Sequence, residues 1–505
     1  MNFKENIKKN KGKLSLSLFI ILAVSIVVYV IFKSPIQGVA DQGDFDRVMS
    51  AAGLSLLDSD TANPDFVRFY DYIVTDYKIS PNIFTVFTTI AGSSIGYLIG
   101  IINIICKLLW SDVFKTEYLA IAYSILYIFG IVLLLKNLKL DSRMKYLFAG
   151  ISFLFVFFDG NYLMWFNSLY GEPMMISTTI LLIAAYLSYI NYKYEGEDQG
   201  KLLKRIYFVF VCAFLFLGSK MQVLTALPFV IILLGKMLWE NKSAFDKKTM
   251  RKLMIIFAIV VIYPLEISVT NGNISKDTQY NSVFYGVLYD SDTPEQDLID
   301  MGLNPDMAIE AGKHSYLDED EYVKYVPRTE ITEEEFYSKM GNSKLAKFYL
   351  THPLRLIKGM EYSASKAFIT STSLGKTSRD YSEESITELS RFTTWSEFRE
   401  NNLPANLWFI VGVYLVMFLF SLWKLIKNKE DKKLVSKIIL MWCVMLIGAV
   451  QFPMPLVGNG HADTAKQLYL FNFIFDIMLL ICANYIFDKI VNLCKNAFDK
   501  KGVRI

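Results

Sequence analysis

Apolar residues in this chain come in long runs separated by short polar joints, a pattern that predicts helices long enough to cross a hydrocarbon core, which takes about 20 residues. Ten runs stand out: Leu14–Phe32, Tyr118–Leu135, Tyr146–Phe158, Met174–Ile190, Ile206–Leu217, Val223–Trp239, Leu253–Thr270, Leu407–Leu425, Leu434–Val450 and Leu468–Phe487. Lys4, Lys8, Lys9, Lys11 and Lys13 precede the first run, and Lys136, Lys139, Arg143 and Lys145 follow the second. Basic loops tend to stay cytoplasmic, so both termini are expected inside and residue 33 onward outside. Alternation then also places "KKTMRK", "KNKEDKKLVSK" and "KNAFDKKGVRI" inside. Gly38-Val39-Ala40 has the small-x-small form of a signal cleavage site, but the first run is longer than a usual signal core.

Two further segments are amphipathic and predict helices lying in the membrane interface: Ser93–Trp110, and Thr351–Phe368 with Pro353 in its first turn. A re-entrant hairpin or a pair of short crossings is the alternative for the first. The chain therefore divides into a transmembrane module, 1–270, with a first outer loop at 33–116; an extracytoplasmic domain, 271–405; and C-terminal transmembrane helices, 406–505. The 271–405 segment is acidic, with 23 Asp and Glu against 14 Lys and Arg. The expected fold is an all-α polytopic membrane protein with about ten transmembrane helices, interfacial helices and a mixed extracytoplasmic domain.

Composition agrees with that reading. Of 505 residues, 53% are hydrophobic and 20% charged, and the mean hydropathy is +0.33, which excludes an ordinary soluble enzyme. A net charge of +3 does not point to nucleic acid as a partner. The five cysteines and three histidines show no metal-ligand spacing. Carboxylates would have to hold any divalent cation, and that ligand type suits Mg²⁺ or Mn²⁺.

With this topology, four polar motifs fall on one outer face. "GVADQGDFDRVMSAAG" carries Asp41, Asp44, Asp46 and Arg47. "DGNYLMWFNSLYGEP" carries Asp159 and Glu172, "GSKMQ" carries Lys220 and Gln222, and "GHADTAK" carries His461, Asp463 and Lys466. A carboxylate at an apolar boundary is poorly solvated and gains basicity, so Asp44 or Asp46 is a candidate general base. Helix caps, interface anchors and solvated loops are the plainer alternatives for these residues. Lys220 runs against the positive-inside pattern, which makes an anionic partner such as a lipid phosphate attractive.

A single N-terminal crossing, an outer loop with "QGDFDRV", an interfacial helix and then a second crossing resemble the GT-C superfamily of membrane glycosyltransferases. "GDFDRVM", "NSLYGEP", "SKMQ" and "GHADTAKQLYLFNFIFD" are similar, more narrowly, to bacterial membrane proteins described as hexose transferases of cell-surface glycan assembly. The resemblance implies inverting transfer of a sugar from a polyprenyl-phosphate donor to a hydroxyl of a glycan, lipid or protein. It gives the catalytic role to Asp44 first and Asp46 second. Lys220, Lys466, His461 and Arg47 would hold the carrier phosphate, while Glu172 and Asp159 would hold sugar or acceptor hydroxyls, or a divalent cation where one is used. Asp41, Gln222 and Asp463 complete the expected substrate-binding set. A transporter or flippase of lipid-linked glycan is the competing class, but it would carry ionisable residues through the middle of several crossings.

Overall fold

The computed structural model describes residues 3–270 and 276–500. Among them, eight helices are long and apolar enough to cross a membrane. The count is nine if Arg143–Phe157 and Gly160–Phe166, bent by 57° at the break between them, form one span. This corrects the expected ten. The remaining run, Ile206–Leu217, does form a helix, Gln199–Leu217, but Lys201, Lys204 and Arg205 occupy its first turns and lower its apolarity.

The helix Glu172–Glu195 is the axis of the bundle, with 89% of its apolar window buried. It packs most extensively on Thr116–Leu138 and Gln199–Leu217. Lipid tails are as apolar as leucine, so helices in a bilayer associate through close packing, and small residues permit it. Gly130 is such a point, because a Cβ there would lie 3.1 Å from Ile180 and 3.2 Å from Leu181. Leu407–Lys427, with only 17% of its window buried, lies at the edge of the bundle.

The Ser93–Trp110 segment forms the 14-residue helix Ile95–Leu108, about 21 Å long and too short to span. Ile95, Ile99, Ile102 and Cys106 face the protein, while Ile101, Ile104, Ile105 and Leu108 are exposed. This spacing leaves one apolar stripe for the protein and another for lipid. The second amphipathic segment begins its helix at Pro353, with His352 in the cap position, and runs to Ser365.

Strands occur in the first loop. β1 (Leu54–Ser55), β2 (Asp76–Ile79) and β3 (Val113–Lys115) form an antiparallel sheet in the order β1-β2-β3. Leu54 pairs with Ile79 and Asp76 with Lys115. The mixed α/β character therefore belongs to the first loop, where Tyr77 and Ile79 alternate inward. The described part of 271–405 has no strand; its aromatic core, including Tyr280, Phe284, Phe336 and Phe348, is built on helices and turns.

Residues 366–402 pack back onto the first loop. Gly38 and Ala40 donate to the carbonyls of Lys376 and Gly375 at 3.0 Å each, and Gly375 N–H donates to the Tyr70 carbonyl at 2.7 Å. A Cβ at Gly375 would lie 1.8 Å from the Asp71 carbonyl oxygen, so only glycine fits this crossing.

Candidate functional site

Asp41 sets the first wall. Its buried carboxylate accepts from Gly43 N–H at 2.7 Å and Phe45 N–H at 3.2 Å, and from Arg68 at 3.2 Å. Gly43, at φ +107°, supplies the left-handed turn this loop needs. The helix Phe45–Ala52 starts there, and Asp44 occupies its cap position without a side-chain capping bond. Its carboxylate is thus free to face outward from the helix. Asp41 positions this turn, and Asp46 pairs with Arg68 on the exposed side.

Asp44 meets two cations, Arg47 at 3.0 Å and Lys466. Lys466 holds its carboxyl well below the usual carboxylate range; burial opposes the shift, while Lys220 and Arg47 reinforce it. Burial alone would push the Lys466 ammonium down, but Asp44, Tyr170, Glu172 and Asp463 outweigh it and hold it up. Lys466 also sits 4.4 Å from the centroid of the Tyr170 ring, a cation–π contact. Tyr170 in turn donates to the Ala40 carbonyl at 3.0 Å and accepts from Gln42 N–H at 3.1 Å.

The third and fourth motifs close the ring. Lys220 donates to Glu172 Oε1 at 2.6 Å. Glu172 is fully buried, and its Oε2 has no hydrogen-bond partner among the described residues. Asp463 accepts from the Gln42 amide at 2.6 Å, linking the first and last motifs across the chain. Gln222 spends its amide on Gln451 at 2.8 Å and the Gln467 carbonyl at 2.7 Å, which fixes the Lys466 loop.

Lys466, Asp463, Gln42 and His461 line one side of a cavity of about 250 Å³. Trp165, Tyr362 and Tyr469 supply aromatic surface, and Lys366 with the hydroxyl run Thr370–Ser373 supplies polar surface. The Lys376 ammonium, which burial pushes down to about 7, donates to the carbonyls of Thr372 and Leu374 and holds that run in place.

Two candidates take other roles. Asp159 is fully buried at the 57° bend, where its oxygens accept from Asn161 N–H at 2.9 Å and Ser396 N–H at 3.0 Å. It caps two helices and does not line the cavity. His461 stacks on Tyr362, ring centroids 3.5 Å apart, and burial pushes it down to about 4. It is neutral at pH 7 and adds no charge toward a phosphate.

The sign of that shift gives a test. The unfolded chain takes up the His461 proton as pH falls through about 6.5, before the folded chain does, so this group removes stability between pH 6.5 and 4. Asp290 opposes the shift and Lys366 adds to it. His461→Phe is expected to narrow the acid-induced fall in unfolding midpoint across that window. An equal fall in both proteins would contradict the assignment.

Among the described residues no group of three or more His, Cys, Asp or Glu is arranged to hold a metal. Asp44 and Glu172 already face ammonium or guanidinium groups.

The sequence reading missed Gln42, Arg68, Tyr170, Lys366, the 370–373 hydroxyl run, and a fully buried pair, Arg399 with Asp476. Asp476 had a signal, being a carboxylate inside an apolar run. Gln42 and Tyr170 lie inside two of the quoted motifs, Lys366 lies at the end of the second amphipathic segment, Arg399 sits in the helix Thr394–Asn402, and only Arg68 and the 370–373 run lie in plain loop sequence.

These helices and this rim-facing polar cavity define a multi-pass membrane protein with a candidate site at one end of its bundle. Over residues 1–505 the chain matches the family described as YfdI N-terminal transmembrane domain, and it belongs to that family. No curated protein and no solved structure matches it.

Proposed function

We propose that this protein is a GT-C-type membrane glycosyltransferase that moves a sugar, a hexose on the resemblance, from a polyprenyl-phosphate donor to an acceptor hydroxyl on the outer face. The observation that carries the reading is the pairing of Asp44, just outside the cavity lining, with Lys466, which lines it. On this reading Asp44 is the base, and Lys466, the ammonium it pairs with, is the cation that takes the phosphate. The clustering of Lys139, Glu195 and Lys433 at the opposite end of the bundle supports the outward orientation.

In the resting pair Asp44 is a weak base, because Lys466 stabilises its ionised form. A donor phosphate competes for the Lys466 ammonium, and as the lysine turns to it Asp44 regains basicity. The acceptor oxygen then bonds to the anomeric carbon, the bond from that carbon to the phosphate oxygen breaks, and the hydroxyl proton passes to Asp44. The electron pair leaves with the phosphate, where Lys466 and Lys220 offset the added charge. Glu172 holds Lys220 in reach through its one paired oxygen.

The test is purified protein in proteoliposomes with radiolabelled hexosyl polyprenyl phosphate and a hydroxyl acceptor. Label moving from the carrier to water or acceptor is expected. Transbilayer movement of intact lipid-linked glycan, with no label released from the carrier, would instead favour the transporter class.

A further inference from the structure

At the end of the bundle away from Asp44, a second cavity of about 230 Å³ opens among five helices. Its walls are Leu134, Phe153, Ile183, Leu440, Met445 and Ile477 with similar neighbours, and its only charged lining residue is Lys437. Asn484 stands beside it as a second polar group. Along Tyr469–Lys500, Asn484 is 15 residues past Tyr469 of the first cavity, about 22 Å at 1.5 Å per residue. The two cavities are therefore separate.

Away from Lys437 and Asn484 the walls offer water no polar partner, and left empty they lose packing contacts. Between membrane-spanning helices the available filler is a hydrocarbon chain. Ile481, an exposed residue of the lining, leaves the cavity open toward the bilayer. Lys437 has no carboxylate within ion-pair distance among the described residues, whereas nearby Lys139 and Lys433 share Glu195. Lys139 and Lys433 both act electrostatically on Lys437, and Arg205 acts on Lys139. Glu195 and Asp431 offset part of this, while Asp488, one turn past Asn484, and Asp141 are taken up by Lys145.

We propose that this cavity is a binding site for an anionic phospholipid, with one acyl chain between the five helices and the headgroup phosphate on Lys437 and Asn484. It braces Lys432–Gln451 against Tyr469–Lys500, the two helices whose outer ends carry Gln451 and the Lys466 loop. The proposal does not depend on the glycosyltransferase reading.

The test uses delipidated full-length protein in detergent, titrated with phosphatidylglycerol, phosphatidylcholine or inorganic phosphate and followed by unfolding midpoint and native mass spectrometry. Phosphatidylglycerol is expected to bind about fivefold or more tightly than phosphatidylcholine, the attraction expected of one lysine for an anionic lipid. Lys437→Gln should abolish that preference, and Ile477→Phe, which fills the cavity, should weaken both lipids. Equal binding of the two lipids by the wild type, an unchanged preference in Lys437→Gln, or an equal response to inorganic phosphate would overturn the proposal.

Discussion

Asp44→Asn should lower sugar transfer about a hundredfold to ten-thousandfold, the usual contribution of a positioned general base, while the protein still inserts and folds. The side chain makes no backbone capping bond and is 37% exposed, so the amide costs the fold little. Asparagine keeps the shape but cannot take the acceptor proton. It also stops competing for Lys466, so the variant should bind carrier phosphate as tightly as wild type or more so. Losing transfer while keeping the carrier separates a base from a residue that merely supports the pocket. Asp46→Asn should have a much smaller effect, since Asp46 is 65% exposed and paired with Arg68 away from Lys466.

The second large effect is on stability. Arg399 and Asp476 are both fully buried and joined as an ion pair. Arg399 also donates to Tyr162 at 2.7 Å, to the Phe368 carbonyl at 3.1 Å and to Thr370 at 2.8 Å. Arg399→Met leaves Asp476 charged and unpaired, a change that costs about 3–5 kcal/mol in buried pairs. It also releases Thr370, the first hydroxyl of the cavity run. The expected result is a clearly lower unfolding midpoint in detergent, partly recovered when Asp476→Leu is added, because removing both charges avoids the unpaired carboxylate. A midpoint equal to wild type in Arg399→Met would show that the pair is not a clamp.

Much of this architecture is legible in the amino-acid pattern because the bilayer imposes it. Runs such as Thr116–Leu138 and Leu407–Lys427 announce themselves by length and apolarity. The four polar motifs were legible as motifs, and Gln42–Asp463, Asp44–Lys466 and Glu172–Lys220 join them in space. The partners themselves were not. Asp44 and Lys466 are 422 residues apart, and no periodicity specifies which lysine a distant carboxylate will meet. Asp159 shows the same limit: a carboxylate at the end of a span reads as ligand or as cap, and the structure sets it against Asn161 N–H two residues on and Ser396 N–H 237 residues away. The strands were not legible because β1 and β2 are two and four residues long, too short for alternation to stand out from loop sequence.

The central claim is that the Asp44–Lys466 pair opens to receive a carrier phosphate. Polyprenyl-phosphate affinity, measured on purified wild type, Lys466→Met and Asp44→Asn in the same lipid nanodiscs, tests it directly. A loss of affinity of at least about tenfold is expected for Lys466→Met, the equivalent of one charge-assisted hydrogen bond, with affinity kept or raised in Asp44→Asn. Equal affinity in all three proteins would contradict it.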